Sequence, residues 1–480
     1  MKKQIYIYLI LFFIVIFSMT TFFNYSYSKN YVAGFPLDDA WIFFGYAKTF
    51  STTGFFSINP NTSPSAGITS PLYLLILSIS FILGLKSEFL FVLVFNSLLL
   101  FLISIILFKI LLKLFDNFWL SSFLTIIFIL DYRTISIANS GMETILFVFI
   151  EILIIYSILE DYRKLTLILL GIGFWVRPEI IILLPIYFIL FYRRIKIKEI
   201  ICFLTPFTLY FIFMKVFTGV FIPQTGKAKS VFFSYINKFG FLKASGIYLL
   251  KLGFPLLFLF FLSSIILIIK NKNHFLNLLL LYVFSFYAFY VFYLPILYNF
   301  GRYLFPLFPF IIILSAYSID MIIKKYNFLI FIIILIITIF TISNFQKGRL
   351  KYAYKVHQFT ARHIIISNWI NNNTSKNSII ATHDIGAIGY LTQRPIIDLV
   401  GLINKRVIGL SNRPEKLKKF LVKYKAKYIA VLNSWFVVIN SPLLFQTPRK
   451  SDIKFQIYKF TNKTEVIRVD LFYNKQDYQK

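Results

Sequence analysis

Long runs of Leu, Ile, Phe and Val, broken by short basic connections, fill the chain up to about residue 347; beyond that the pattern turns polar. Crossing about 30 Å of hydrocarbon takes roughly 20 apolar residues, and lipid offers the backbone no water, so these runs predict transmembrane helices. The first, Ile5 to Phe23, follows the basic Met1 to Lys3 and lacks a small-residue cleavage site, which predicts a retained span with its basic end in the cytoplasm. Further spans are predicted at 88–110, 118–133, 141–159, 165–176, 178–192, 198–218, 246–269, 274–294, 302–322 and 326–343, about eleven crossings in all. Leu72 to Leu85 is short for a crossing and reads as re-entrant or interfacial. This count puts Lys109 to Lys113, Arg163-Lys164, Arg193 to Lys196, Lys270 to Lys272 and Lys324-Lys325 on the cytoplasmic side, as the positive-inside bias requires. Arg177-Pro178 divides 165–192 into two short runs; taken as one crossing, they would reverse the side of everything downstream.

Composition agrees. A content of 58% hydrophobic residues excludes an ordinary soluble protein and indicates a multi-pass protein of the cytoplasmic membrane. The excess of 50 Lys and Arg over 19 acids comes without a nucleic-acid motif, so no nucleic acid is expected and anionic lipid is the expected basic-loop partner. Cys202, the single cysteine, rules out an intrachain disulfide. Two domains are expected: a membrane domain, 1–347, with a first outer loop at 24–70, and a basic domain, 348–480, placed outside by parity. Within the latter, Val356 to Ile370 and Arg413 to Tyr424 read as helices, and Ser378 to Thr382, Tyr428 to Leu432 and Phe455 to Phe460 as strands, the alternation of an α/β domain.

The loop from Phe35 to Pro71 sets two acids side by side, Asp38 and Asp39, directly after a membrane segment, an electrostatic cost that folding alone does not explain. Glu143, Arg177, Glu179, Lys227, Lys229 and Arg302 are predicted at outward ends of spans, on the same side as that pair. Carboxylates and cations on one face suit transfer of a group from a phosphate: a carboxylate takes the acceptor proton while a cation stabilises the departing phosphate. Each residue also has a plainer reading. The Asp pair would cap a helix starting near Ala40, Glu143 would be a solvated rim carboxylate, and Glu179 would sit in a first helical turn after Pro178. Arg177 and Arg302 would snorkel to headgroups, and Lys227 would be a surface charge like Lys229. Glu151, two turns beyond Glu143, falls inside a span and must be protonated or paired. His357, His363 and His383 have no metal spacing, and Gly386 and Gly389 do not make a nucleotide loop.

The stretches Asp38-Asp39-Ala40-Trp41-Ile42, Gly45-Tyr46-Ala47, Gly54-Phe55-Phe56, Asn59-Pro60 and Thr69-Ser70-Pro71-Leu72 together resemble the first loop of the GT-C superfamily. These are membrane glycosyltransferases using polyprenyl-phosphate sugars, and the likeness is to the bacterial branch of arabinofuranosyl and mannosyl transferases. Ser140 to Thr144, Arg177-Pro178-Glu179, Ile222 to Thr225 with Lys227, Arg302-Tyr303 with Pro306 and Pro309, His383 to Tyr390 and Asp398 to Leu402 continue the resemblance in order. Gly45 stands where the pattern often has arginine, and Gln224 where it often has asparagine. The resemblance implies a GT-C-like α-helical polytopic fold with a C-terminal extracytoplasmic α/β domain, and a polyprenyl-phosphate-linked sugar donor. It also implies a glycan, lipid or protein acceptor, inversion at the sugar carbon, and Asp38 or Asp39 as base or metal ligand. A divalent cation, Mg or Mn, bridging carboxylate and phosphate is compatible with this scheme. Two other function classes remain open on sequence: a lipid or glycan transporter or flippase, and a non-catalytic envelope-assembly protein whose basic domain binds an anionic polymer.

Overall fold

The computed structural model describes residues 2–85, 87–251, 255–271, 273–326, 328–447 and 454–468; Met1 and Lys272, which belong to the expected basic ends, lie outside them. The chain divides into two compact units, each assembled from three separate stretches: 1–33, 89–210 and 236–354 in the first, 34–88, 211–235 and 355–480 in the second.

The first unit is helical. Among the described residues of the whole chain, six helices are long and apolar enough to cross a membrane: Lys3–Asn30, Glu88–Phe115, Ile197–Thr218, His274–Tyr293, Asn299–Lys325 and Phe331–Asn373. Counting each bent pair as one span, Phe118–Leu130 with Tyr132–Ala138 (56°) and Lys238–Lys251 with Leu256–Lys270 (105°), raises the number to eight. The rest of the expected eleven fall on Thr144–Leu159 (16 residues), Arg163–Phe174 (12 residues) and Pro178–Phe191, which are helical but short. Pro178 is responsible for one of these breaks: it forces Arg177 into an extended conformation (φ −152°, ψ 129°) and opens a 3-10 turn at Pro178–Ile182. Apolar faces meet within the unit, with Leu11, Val15, Met19 and Phe22 of the first helix fully buried at helical spacing. Tyr352 near the end of the unit donates to the carbonyl of Asn139 (2.9 Å).

The second unit is a mixed α/β assembly. Its main sheet has the order β2-β1-β3-β6-β5, with β1 (Ile380–Thr382), β2 (Ile396–Asp398), β3 (Tyr428–Leu432), β5 (Leu443–Gln446) and β6 (Phe455–Lys459); β4 (Phe436–Ile439) pairs with β7 (Glu465–Arg468). β1 runs parallel to β2 and β3, and β6 antiparallel to β3 and β5. Strands buried on both faces read as continuous apolar runs, which is why Tyr428–Leu432 was legible; the three-residue β2 and the four-residue β4, β5 and β7 were not. The Pro414–Lys423 helix places Leu417 and Leu421, one turn apart, into this core.

Around the sheet lie segments from far earlier in the chain. The Asp38–Thr53 helix packs on both the Pro71–Ile82 helix and the Ile385–Thr392 helix. The Phe35, Phe44 and Tyr390 rings surround Trp41, with Phe35 at 5.9 Å and Tyr390 at 5.3 Å from it. The Thr225–Phe232 helix docks through Phe232, whose ring stacks on Trp435 (5.5 Å) beneath the Arg468 guanidinium (4.5 Å).

Candidate functional site

Asp38 and Asp39 open the same helix and meet different fates. Leu37 takes the N-cap position of that helix, and neither acid caps it. Asp38 instead reaches the start of the Ile385–Thr392 helix, where its Oδ2 accepts from the N–H of Gly386 (2.8 Å) and its Oδ1 from that of Ala387 (2.8 Å). Those are the second and third helical positions, the N–H groups a capping side chain normally satisfies. The local N-cap residue, Asp384, turns away to accept from His363 Nε2 (3.0 Å). Asp38 is therefore a cap supplied by a residue nearly 350 positions away in sequence.

The close approach explains the glycine. A Cβ on Gly386 would lie 2.2 Å from the Asp38 carbonyl oxygen and 2.9 Å from the Ile42 nitrogen, both backbone atoms that cannot yield. At Gly45 the same holds against the Ile58 carbonyl (2.5 Å), so the glycine that stands in place of the common arginine is dictated by packing here. The other matched stretches of the second unit join the same core. Asn59 donates to the carbonyls of Gly389 and Arg394, and Tyr46 shares a hydrogen bond with Ser65. Gln224 donates to the carbonyl of Leu402 (3.1 Å), and Asp398 accepts from Val400 and Ile403 at the end of β2.

Burial first, and the neighbouring Asp384 carboxylate second, push the Asp38 carboxyl up to about 7, against the pull of His363 and the two backbone N–H groups. Burial also acts on Asp384, but the imidazoles of His383 and His363 outweigh it and hold that carboxyl below its ordinary range. Like charges in one buried cluster cannot both ionise freely, and the pair divides into an acid that keeps its proton longer and one that loses it sooner.

Asp39 is the more accessible of the two, its side chain 25% exposed, and its Oδ2 meets Lys229 Nζ at 2.8 Å. Lys227 is exposed. The difference follows from helical spacing: Thr225, Ala228 and Phe232 are buried in the Thr225–Phe232 helix, and Lys229 lies one turn from the first of them, whereas Lys227 lies toward the other face. The sequence named both lysines, Lys227 as a candidate phosphate contact and Lys229 as a surface charge, and gave no sign that Lys229 meets Asp39.

Glu143, Arg177, Glu179 and Arg302 belong to the first unit, and there they gather. Arg177 Nε donates to Glu143 Oε1 (2.8 Å), with both side chains buried. The Arg177 guanidinium sits 5.5 Å from the rings of Phe147 and Tyr303, and Arg302 donates to the Tyr303 hydroxyl (3.0 Å). Tyr303 thus touches both guanidinium groups. Glu179 accepts from Tyr290 (2.5 Å), and Glu151 accepts from Tyr282, so the in-span carboxylate is paired. Asn299, Phe300 and Gly301 take left-handed backbone angles immediately before Arg302, in the irregular stretch between the His274–Tyr293 helix and the 3-10 turn at Phe305–Leu307. Among the described residues Arg177 Nη1 finds no acceptor although it is buried. A guanidinium with one N–H satisfied by a carboxylate and another left over is suited to receive an anionic oxygen. Tyr303 falls in a matched stretch, whereas Tyr282 and Tyr290 carried no sequence signal beyond the aromatic abundance of the chain.

The fit of a resident divalent cation is poor. Both Asp38 oxygens face backbone N–H groups, Asp39 faces an ammonium, and among the described residues no group of three His, Cys, Asp or Glu side chains converges with metal-binding geometry. No step below is routed through a metal.

Comparisons with known proteins bear on the fold. A crystal structure of ArnT from Cupriavidus metallidurans in the apo state superimposes over 88% of this chain and 93% of its own, with 9% identity and a TM-score of 0.54. The same protein bound to undecaprenyl phosphate matches over 93% and 97%, with 10% identity and a TM-score of 0.56. The fold is GT-C-like. The Archaeoglobus fulgidus oligosaccharyltransferase in complex with zinc and sulfate matches over 87% of this chain and 67% of its own, with 12% identity and a TM-score of 0.54. A family described as a domain of unknown function (DUF8728) matches residues 351–478. No curated protein matches the chain.

Proposed function

We propose that this protein is a glycosyltransferase that moves a sugar from a polyprenyl-phosphate donor to an acceptor hydroxyl at the outer face of the cytoplasmic membrane. The observation that supports it most is the GT-C-like fold carried over nine-tenths of the chain, in company with ArnT, a protein whose structure has been solved with undecaprenyl phosphate. In this reading the N-terminus is cytoplasmic and the C-terminal α/β region extracytoplasmic. The acceptor is a glycan, lipid or protein hydroxyl.

Of the two first-loop acids, Asp39 is the base. Its side chain is 25% exposed and pairs with the Lys229 ammonium, whereas Asp38 is buried with both oxygens engaged by backbone N–H groups. The acceptor oxygen forms a bond to the sugar carbon as that carbon's bond to the phosphate oxygen breaks, its proton passing to Asp39, and the sugar carbon inverts. The lipid phosphate leaves as an anion held by guanidinium groups. Arg177 and Arg302 are assigned that role, Glu143 fixes the orientation of Arg177, Glu179 accepts from Tyr290, and Lys227 lies in the same helix as Lys229, the partner of Asp39.

The test is transfer by protein reconstituted with a radiolabelled polyprenyl-phosphate sugar and cell-envelope acceptors. Wild type should label the acceptor, D39N should lower the rate by about 100-fold or more, and R177K should raise KM for the donor. Movement of the donor across the bilayer without any labelled product would sink the proposal in favour of a flippase.

A further inference from the structure

Between residues 405 and 427 the chain carries nine Lys and Arg and a single acid, Glu415. Lys405, Arg406, Lys416, Lys419, Lys423 and Lys427 are exposed, and none of them forms an ion pair among the described residues. Ion pairs do form at other lysines, Lys113 with Glu160, Lys229 with Asp39 and Lys324 with Asp320. Lys416, Lys419 and Lys423 stand three and four positions apart along the Pro414–Lys423 helix, so they form one row about 10 Å long. Arg406 is tied to the end of that row by its hydrogen bond to the Tyr424 hydroxyl (2.9 Å).

Local stability does not account for this row. Like charges at these spacings each cost about 0.2–0.5 kcal/mol. Lys416 in the first turn opposes the helix dipole, and Lys423 in the last turn is the one member with a local reason. A solvated basic face would tolerate interspersed acids, and this one has almost none.

We infer that this row is the docking surface for a soluble, linear phosphodiester polyanion. A membrane is the less fitting partner, because a helix that lies in a bilayer surface inserts an apolar face, and Leu417 and Leu421 of this helix are already spent on the core of its own unit. Charge complementarity along a stripe, with Val422 the one strongly exposed apolar side chain of the helix, suits a flexible chain of regularly spaced phosphates. The surface stands whether or not the protein transfers sugar.

The experiment uses the intact protein in phosphatidylcholine nanodiscs and fluorescein-labelled linear poly(glycerol phosphate), with anisotropy read at several salt concentrations. K416Q/K419Q/K423Q should weaken binding about tenfold and flatten the slope of log Kd against log salt by about 2, one phosphate contact being lost per lysine. R193Q/K196Q/K198Q, which removes the same charge from exposed positions in the first unit, should bind like wild type. Equal losses in both triple variants, or none in either, would overturn the inference. So would patch-dependent binding to phosphatidylglycerol vesicles without binding to the polymer. Since the three substitutions remove only exposed charge and relieve repulsion, an unchanged or raised melting temperature verifies that the variant is folded.

Discussion

The reach of Asp38 across the second unit makes a prediction whose sign changes with pH. In the folded protein its carboxyl titrates near 7, against 3.8 in the unfolded chain, so between those values the folded state holds a proton that the unfolded state has lost. Stability from this group is therefore complete below about pH 4 and falls as pH rises to about 7. Three units at 1.36 kcal/mol each make the decline roughly 4 kcal/mol. Asp38→Asn cannot titrate and has no such slope. It supplies one acceptor oxygen where the native side chain supplies two, so either Gly386 or Ala387 loses its partner, at about 1–3 kcal/mol at every pH. His363 and Asp384, which face Asp38, titrate in both proteins and cancel to first order in the comparison. The two stability curves should then cross: wild type ahead by about 1–3 kcal/mol at pH 3.5, the variant ahead by a similar margin at pH 8. Thermal melts in detergent followed by tryptophan fluorescence would read this as a reversal of several degrees, at about 2–4 °C per kcal/mol for a unit of this size. A constant difference of one sign across that range would refute the buried-cap account.

Asp39→Asn should lower sugar transfer by about 100-fold or more while shifting the melting temperature by no more than about 2–4 °C, because a partly exposed ion pair such as Asp39–Lys229 contributes about 1 kcal/mol or less. Gly386→Ala should cost about 1–3 kcal/mol or more, read as a lower midpoint, since the new Cβ would have to push the Asp38–Thr53 helix away; an unaltered midpoint would contradict the packing described. Arg177→Met should destabilise by about 3–5 kcal/mol by leaving Glu143 buried and uncompensated, and adding Glu143→Gln to it should restore much of that loss without restoring transfer.

What the sequence by itself determined is whatever follows from local period and solvent. Apolar run length announced the transmembrane helices, a continuous apolar run announced Tyr428–Leu432, and Pro178 announced the break beside Arg177. Such signals are readable because each depends on neighbours within a turn or two. The motif glycines and acids were visible too, and their order along the chain carried the GT-C resemblance that the fold supports.

Only the tertiary structure decided what those acids do. That Asp38 caps a helix starting at Ile385, that Lys229 and not Lys227 meets Asp39, and that Gly45 is demanded by the Ile58 carbonyl all depend on segments 34–88, 211–235 and 355–480 folding together. The polar boundary near residue 348 gives no hint of that assembly. A carboxylate's role is set by which donors surround it and by how much water they exclude, and neither quantity is a property of its own stretch of chain.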